Sequence, residues 1–88
     1  MPKKISSAQM RAARALVRWS ALDLAKASKV GVATIRRAEL TDAETSMTAA
    51  NDLAVRRALE AAGVEFIDEN GGGPGVRLRK SGKEKPRK

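Results

Sequence analysis

The stretch Ser20 to Glu39, SALDLAKASKVGVATIRRAE, decides the fold. Ser20 opens it as an N-cap, and Asp23, three residues on, makes a weak version of the capping box. Leu24, Ala25 and Ser28 then form the inner side of a short helix, and the small Ala25 lets a second helix approach closely. A turn is predicted near Lys29 to Gly31, with the apolar Val30 plugging the core from within it. A second short helix follows from about Val32 to Glu39. Ile35 and Ala38 point inward at i and i+3, which leaves Ala33, Thr34, Arg36 and Arg37 outward. A helix that turns cations and small polar residues outward, on a small basic protein, suits the major groove of DNA.

Upstream, residues 1–6 read as a basic arm. Ser6 or Ser7 caps a first helix running to about Arg18. Met10, Ala13, Leu16 and Val17 recur at core-facing spacing. Arg11, Arg14 and Arg18 lie on another stripe, where Arg11 and Arg18 are expected in solvent. Trp19 is expected to close the core between the first and second helices. Downstream, Leu40 to Met47 (LTDAETSM) is a polar connection. Thr48 caps a fourth helix over about Ala49 to Ala62, with Leu53, Val55 or Arg56, and Leu59 at buried spacing, and Gly63 supplies a left-handed stop.

After Gly63 the period changes to two. Val64-Glu65-Phe66-Ile67 and Val76-Arg77-Leu78-Arg79 alternate as strands around the turn-rich DENGGGPG. Val64 and Phe66 should share a face with Val76 and Leu78. A lone two-stranded hairpin is marginal in water, so this one must pack on the helices or pair across a dimer. The predicted organisation is therefore a basic arm (1–6), a helical domain (7–63), a hairpin as candidate dimer contact (64–79) and a tail (80–88). The tail, KSGKEKPRK, lacks apolar anchors and is expected to be disordered. The fold class is mainly α, with four to five helices and a C-terminal β-hairpin.

With 88 residues the chain makes one domain at most. Apolar content is 42% but aromatics are only 2%, so alanine, leucine and valine must build the core, a composition that favours helices. The net charge of +8 sits at the ends. Lys3 and Lys4 lie at the front, and seven cations against Glu84 lie from Val76 onward, while Ile5 to Gly75 carries nine cations and nine acids. A basic terminus serves as a polyanion attachment or as a solubility tail, so the charge alone does not establish DNA binding. Cysteine and histidine are both absent, which removes thiolate chemistry, disulfides and the usual general base and metal ligands. No cofactor or metal is expected, and an enzyme is the least favoured class. No apolar run approaches a membrane span and no signal peptide is visible, so a cytoplasmic, nucleoid-associated protein is expected.

Gly71, Gly72, Gly73 and Gly75 suggest a phosphate-cradling loop at first sight. That chemistry needs a helix N-terminus after the loop, and here a strand pattern follows. The run reads instead as a flexible hairpin tip, with Asp68 and Glu69 as solvated loop acids.

The segment Ser20 to Glu39 resembles the helix-turn-helix of the Xre/Cro/C1 family, the lambda-repressor-like regulators. The matching residues are Ser20 at the cap, Leu24-Ala25 in the first motif helix, Val30 in the turn, Thr34-Ile35 in the second helix, and Arg37 with the closing Glu39. The flanking RAARALVRWS and RRALEAAGVEFIDENGGGPGVRLR also look like small bacterial members, so the resemblance spans most of the chain. It implies a homodimer on a near-palindromic operator in double-stranded DNA. It places Val32, Ala33 and Arg37 at base edges, with Thr34 and Arg36 beside them on bases or phosphates. Ser20, Ala21 and Thr41 are placed at the DNA backbone. Arg14 and Glu39 match a structural ion pair tying the first helix to the end of the recognition helix. Three positions depart from the pattern. Lys29 stands where glycine is usual, Gly31 replaces a polar cap, and Ala21 replaces a glutamine that contacts phosphate.

Two functions follow as expectations. The first is a sequence-specific transcriptional regulator, such as an autoregulatory repressor whose concentration sets its dimerisation. The second is a protein-interaction module on the same scaffold, an antitoxin or antiactivator with a protein partner.

Overall fold

The computed structural model describes residues 4–41 and 44–79. They form four helices, α1 (Ser7–Val17), α2 (Ala21–Ser28), α3 (Val32–Ala38) and α4 (Ala49–Ala61), and two strands, β1 (Val64–Ile67) and β2 (Gly75–Leu78). The fold is mainly α with one antiparallel hairpin. Among the described residues there is no fifth helix, and no helix is long and apolar enough to cross a membrane. Met1 to Lys3 of the expected arm, and the tail from Lys80, lie outside the described residues.

Three of the four helices start at a side chain that answers an orphan N–H. Ser6 caps α1 in a full capping box with Gln9, Ser20 caps α2 in one with Asp23, and Thr48 caps α4 through Asn51 N–H. Gly63 follows α4 at φ +112°, a left-handed stop suited to glycine. The ends of α1 and α2 use the same conformation without glycine, at Arg18 (φ 60°) and Lys29 (φ 64°). The left-handed region costs an L-residue roughly 1–2 kcal/mol, against roughly 0.5–1 kcal/mol of extra chain entropy for glycine. Lys29→Gly is therefore expected to raise Tm by a few degrees, as checked by thermal unfolding. A lowered Tm would mean that the lysine side chain itself stabilises the turn.

The core lies where α1, α2, α3, α4 and β1 meet. Met10 and Ala13 from α1, Leu24 and Ala25 from α2, Ile35 and Ala38 from α3, Val55 and Leu59 from α4, and Val64 and Phe66 from β1 are all buried. Val30 is buried inside the α2–α3 turn, as its position there predicted. The inward side of α1 is narrower than expected, because Leu16 is 37% exposed. Leu53 is only half-buried, while its neighbour Asp52 is buried.

Asp52 explains a second departure. Residues 4–6 do not form a free arm. Ile5 is buried in the core, and its N–H donates to Asp52 Oδ2 at 3.3 Å. Thr45 donates its hydroxyl to Asp52 Oδ1 at 3.3 Å, Lys4 Nζ donates to Met47 O at 2.7 Å, and Ser6 bridges Glu44. Burial pushes the Asp52 carboxyl above its ordinary 3.8, against the pull of the Ile5 and Thr45 hydrogen bonds and of the Lys4 and Arg56 charges. The fold thus favours the protonated acid. That contribution is complete below pH 3.8 and is lost as pH rises through the raised value. Asp52→Asn, a neutral isostere, should match the wild type in acid and equal or exceed it at pH 7. Paired melts across pH check this, and an advantage for the variant that shrinks as pH rises would contradict it.

The hairpin packs on both α1 and α4, which meets the need for helical support. Val64 pairs with Leu78 and Phe66 with Val76, so these four side chains share the inner face. Gln9 fastens the arrangement. Its Oε1 accepts Ser6 N–H at 2.8 Å, while Nε2 donates to Ile67 O at 3.2 Å and Gly75 O at 3.0 Å. One buried amide therefore caps α1 and holds both strands. At the tip, Glu69 Oε2 accepts the N–H groups of Gly71 (2.9 Å) and Gly73 (3.1 Å). Glu69 is thus an organiser of the loop rather than a free acid, and it occupies the amides a phosphate cradle would need. Over β1, Arg56 lies 5.2 Å from the Phe66 ring centroid and 3.0 Å from Glu60.

Candidate nucleic-acid interface

With seven residues, α3 is too short to be helical alone, so its neighbours must hold it. The α2–α3 turn is tightened by Ser28, whose hydroxyl donates to Leu24 O at 2.7 Å and accepts Val30 N–H at 3.3 Å. Lys29 reverses the chain, Val30 anchors it, and Gly31 opens α3 without a side-chain cap. Ile35 and Ala38 fix one side of α3 to the core.

The far end of α3 is gripped by α1. Arg14 meets Glu39 with two parallel bonds, Nε to Oε2 at 2.7 Å and Nη2 to Oε1 at 2.8 Å, and its Nη1 donates to Trp19 O at 2.7 Å. The hydrogen bonds that Arg14 donates to Glu39 raise its pKa further, so this cation is permanent. The side chains are 24% and 10% exposed respectively. Ser7 donates its hydroxyl to Ala38 O and contacts Thr41 Oγ1, and Arg11 Nη1 donates to Glu39 O. Ser7, Arg11 and Arg14 thus form one stripe of α1 that closes the carbonyl end of α3. Arg11 was expected in open solvent, but it is exposed and tied at once. The i, i+4, i+7 spacing of Ser7, Arg11 and Arg14 was visible in the sequence, though their common target was not.

What α3 leaves outward is Ala33, Arg36 and Arg37, all exposed, with Thr34 half-buried beside them. From Lys29 to Ala38 there is no acid, and Glu39 is taken up by Arg14. The exposed side of α3 therefore carries two cations and no free acid. Val32 is half-buried and packs against the core, so it presents less surface than the sequence suggested. Of the residues expected at a DNA backbone, Ser20 sits exposed at the start of α2, its oxygen accepting Asp23 N–H at 3.0 Å. Ala21 is half-buried and packs against the core. Thr41 has its hydroxyl drawn inward, to Ala38 O at 3.3 Å and Glu44 O at 3.0 Å. Leu40, just after α3, is 82% exposed.

No known family model matches the chain, and neither does any curated protein.

Proposed function

We propose that the protein binds double-stranded DNA sequence-specifically, as a small lambda-repressor-like helix-turn-helix regulator that lays α3 in the major groove. The observation that carries this reading is the exposed Ala33, Arg36 and Arg37 on a short helix with no uncompensated acid. A groove-reading helix needs a fixed pose, and α3 is fixed at both ends and along its inner side. In this reading Arg37 makes the two-pronged contact to guanine O6 and N7, while Ala33 packs on a thymine methyl. Arg36 and Thr34 supply phosphate or neighbouring base contacts. Ser20, with the first amides of α2, meets a phosphate at a helix N-terminus. Thr41 serves the fold through its hydroxyl, so it is the weakest of the backbone contacts. Two copies on a near-palindrome would place one α3 per half-site, and occupancy of its own promoter would make the protein autoregulatory.

An open apolar groove lined by Trp19, Ala27, Ala58, Ala61 and Ala62 favours a second reading, in which a protein partner docks on this scaffold. Titration of a labelled duplex from upstream of the protein's own gene, with scrambled duplex as competitor, separates the two. Competitor-resistant binding supports the regulator. Binding that scrambled DNA removes at equal concentration, and that salt abolishes, would refute sequence reading by α3.

A further inference from the structure

We infer that Asn70 is a self-modifying site, at which the hairpin tip converts the side-chain amide to a carboxylate through a cyclic imide with Gly71. The reacting groups are gathered in the tip. Asn70, Gly71 and Gly72 are exposed, so water reaches them. Gly71 follows Asn70 directly and has no Cβ to hinder attack by its backbone nitrogen. Glu69 Oε2 accepts the N–H of that nitrogen at 2.9 Å, within the reach required of a general base. Gly72 N–H donates to Asn70 Oδ1 at 3.4 Å. This bond folds the Asn70 side chain back over the Gly71 peptide. It also sets a donor on the oxygen where negative charge develops during attack.

In the first step Gly71 N bonds to Asn70 Cγ while Glu69 takes the N–H proton. The bond from Cγ to Nδ2 then breaks, and the amide leaves as ammonia with the proton that Glu69 returns. Water next opens the succinimide, adding its hydroxyl to one carbonyl carbon and its proton to the nitrogen. Attack at Cγ leaves aspartate in an ordinary backbone. Attack at the α-carbonyl leaves isoaspartate, whose main chain runs through Cβ and Cγ and is longer by one methylene. A longer chain cannot keep Gly71 and Gly73 on the same Glu69 oxygen, and either product adds a carboxylate beside Asp68 and Glu69. The tip therefore loosens, while Gln9 still holds Ile67 O and Gly75 O at the strand ends. Asn51, the other asparagine of the chain, is the contrast. The N–H that follows it, on Asp52, donates to Thr48 O at 2.9 Å within α4, and a peptide carbonyl takes no proton. None of this depends on the DNA reading.

Peptide mass mapping of the whole chain, aged at neutral pH, tests this. The peptide holding Asn70 should gain the mass of NH2 exchanged for OH several-fold faster than the peptide holding Asn51, and isoaspartyl methyltransferase should label it. Glu69→Gln keeps an acceptor for the two glycine amides but removes the base. It should slow the change several-fold with an unchanged far-UV spectrum. Wild type should lose Tm as the modified fraction grows, while Asn70→Gln, whose longer side chain cyclises less readily, should hold its Tm over the same period. An Asn70 that reacts no faster than Asn51, a Glu69→Gln variant that reacts as fast as wild type, or a fully modified wild type with an unchanged Tm would overturn the proposal.

Discussion

Glu39→Ala is expected to lower Tm by roughly 10–20 °C. The carboxylate receives two bonds from Arg14, and both side chains are largely shielded. Removing one partner of a fully buried pair costs about 3–5 kcal/mol. Arg14 keeps some solvent and its bond to Trp19 O, which brings the expected loss to roughly 2–3 kcal/mol. A domain of this length loses about 4–8 °C per kcal/mol. The cost arises because the variant strands a guanidinium between α1 and α3, so it does not measure the net worth of the pair. The double variant Arg14→Met with Glu39→Leu should therefore recover most of the loss, as apolar replacements of buried pairs often do. Arg14→Lys alone should also lower Tm, since one ammonium cannot reproduce the fork and also reach Trp19 O. Thermal melts of the four proteins check this. A Glu39→Ala melt within a few degrees of wild type would show that solvent already screens the pair.

Ile35→Ala should be comparably damaging and more localised. Ile35 is fully buried and is the one large side chain that α3 sends into the core. Large-to-small changes at such sites cost about 2–5 kcal/mol, from lost transfer energy and the cavity left behind. A domain of this size holds roughly 5–10 kcal/mol in total. The remaining anchors of α3 are Ala38 and the half-buried Val32, and neither can substitute. Amide exchange should therefore quicken first over Val32 to Ala38, before α1 and α4 lose protection. Uniform loss of protection across all four helices would show instead that α3 is not a separable unit. If α3 reads DNA, this variant loses binding by releasing the helix although no contacting residue has changed.

The hydrophobic periodicity of this chain was enough for its four helices and its hairpin, because caps and stops coincide with the ends of each apolar pattern. Ser20, Asp23, Thr48 and Gly63 sit where their chemistry required. Other features depend on contacts between distant segments, which no local pattern carries. Ile5 belongs to the core because Asp52, 47 positions away, receives its amide. A buried acid on α4 reads as a solvent residue until its donors are known. Gln9 passes for an ordinary polar position until the hairpin brings two carbonyls to its amide. Leu16 fits the core spacing of α1, yet the core does not extend beneath it. In the candidate interface, the outward residues of α3 were legible from spacing alone. The inward turn of the Thr41 hydroxyl was not, because Ser7 lies 34 residues before it.

The claim that α3 reads base sequence is tested most directly at Arg37. Fluorescence anisotropy on duplex from upstream of the protein's own gene, against a scrambled duplex, should be measured for wild type and Arg37→Ala at two salt concentrations. Arg37 is exposed and outside the core, so its loss should leave the fold intact. A two-pronged guanine contact contributes about 1–3 kcal/mol of discrimination. Wild type should prefer its own upstream sequence, and Arg37→Ala should lose roughly 10- to 100-fold of that preference while retaining salt-sensitive binding to both duplexes. An Arg37→Ala protein that discriminates as well as wild type would contradict the account.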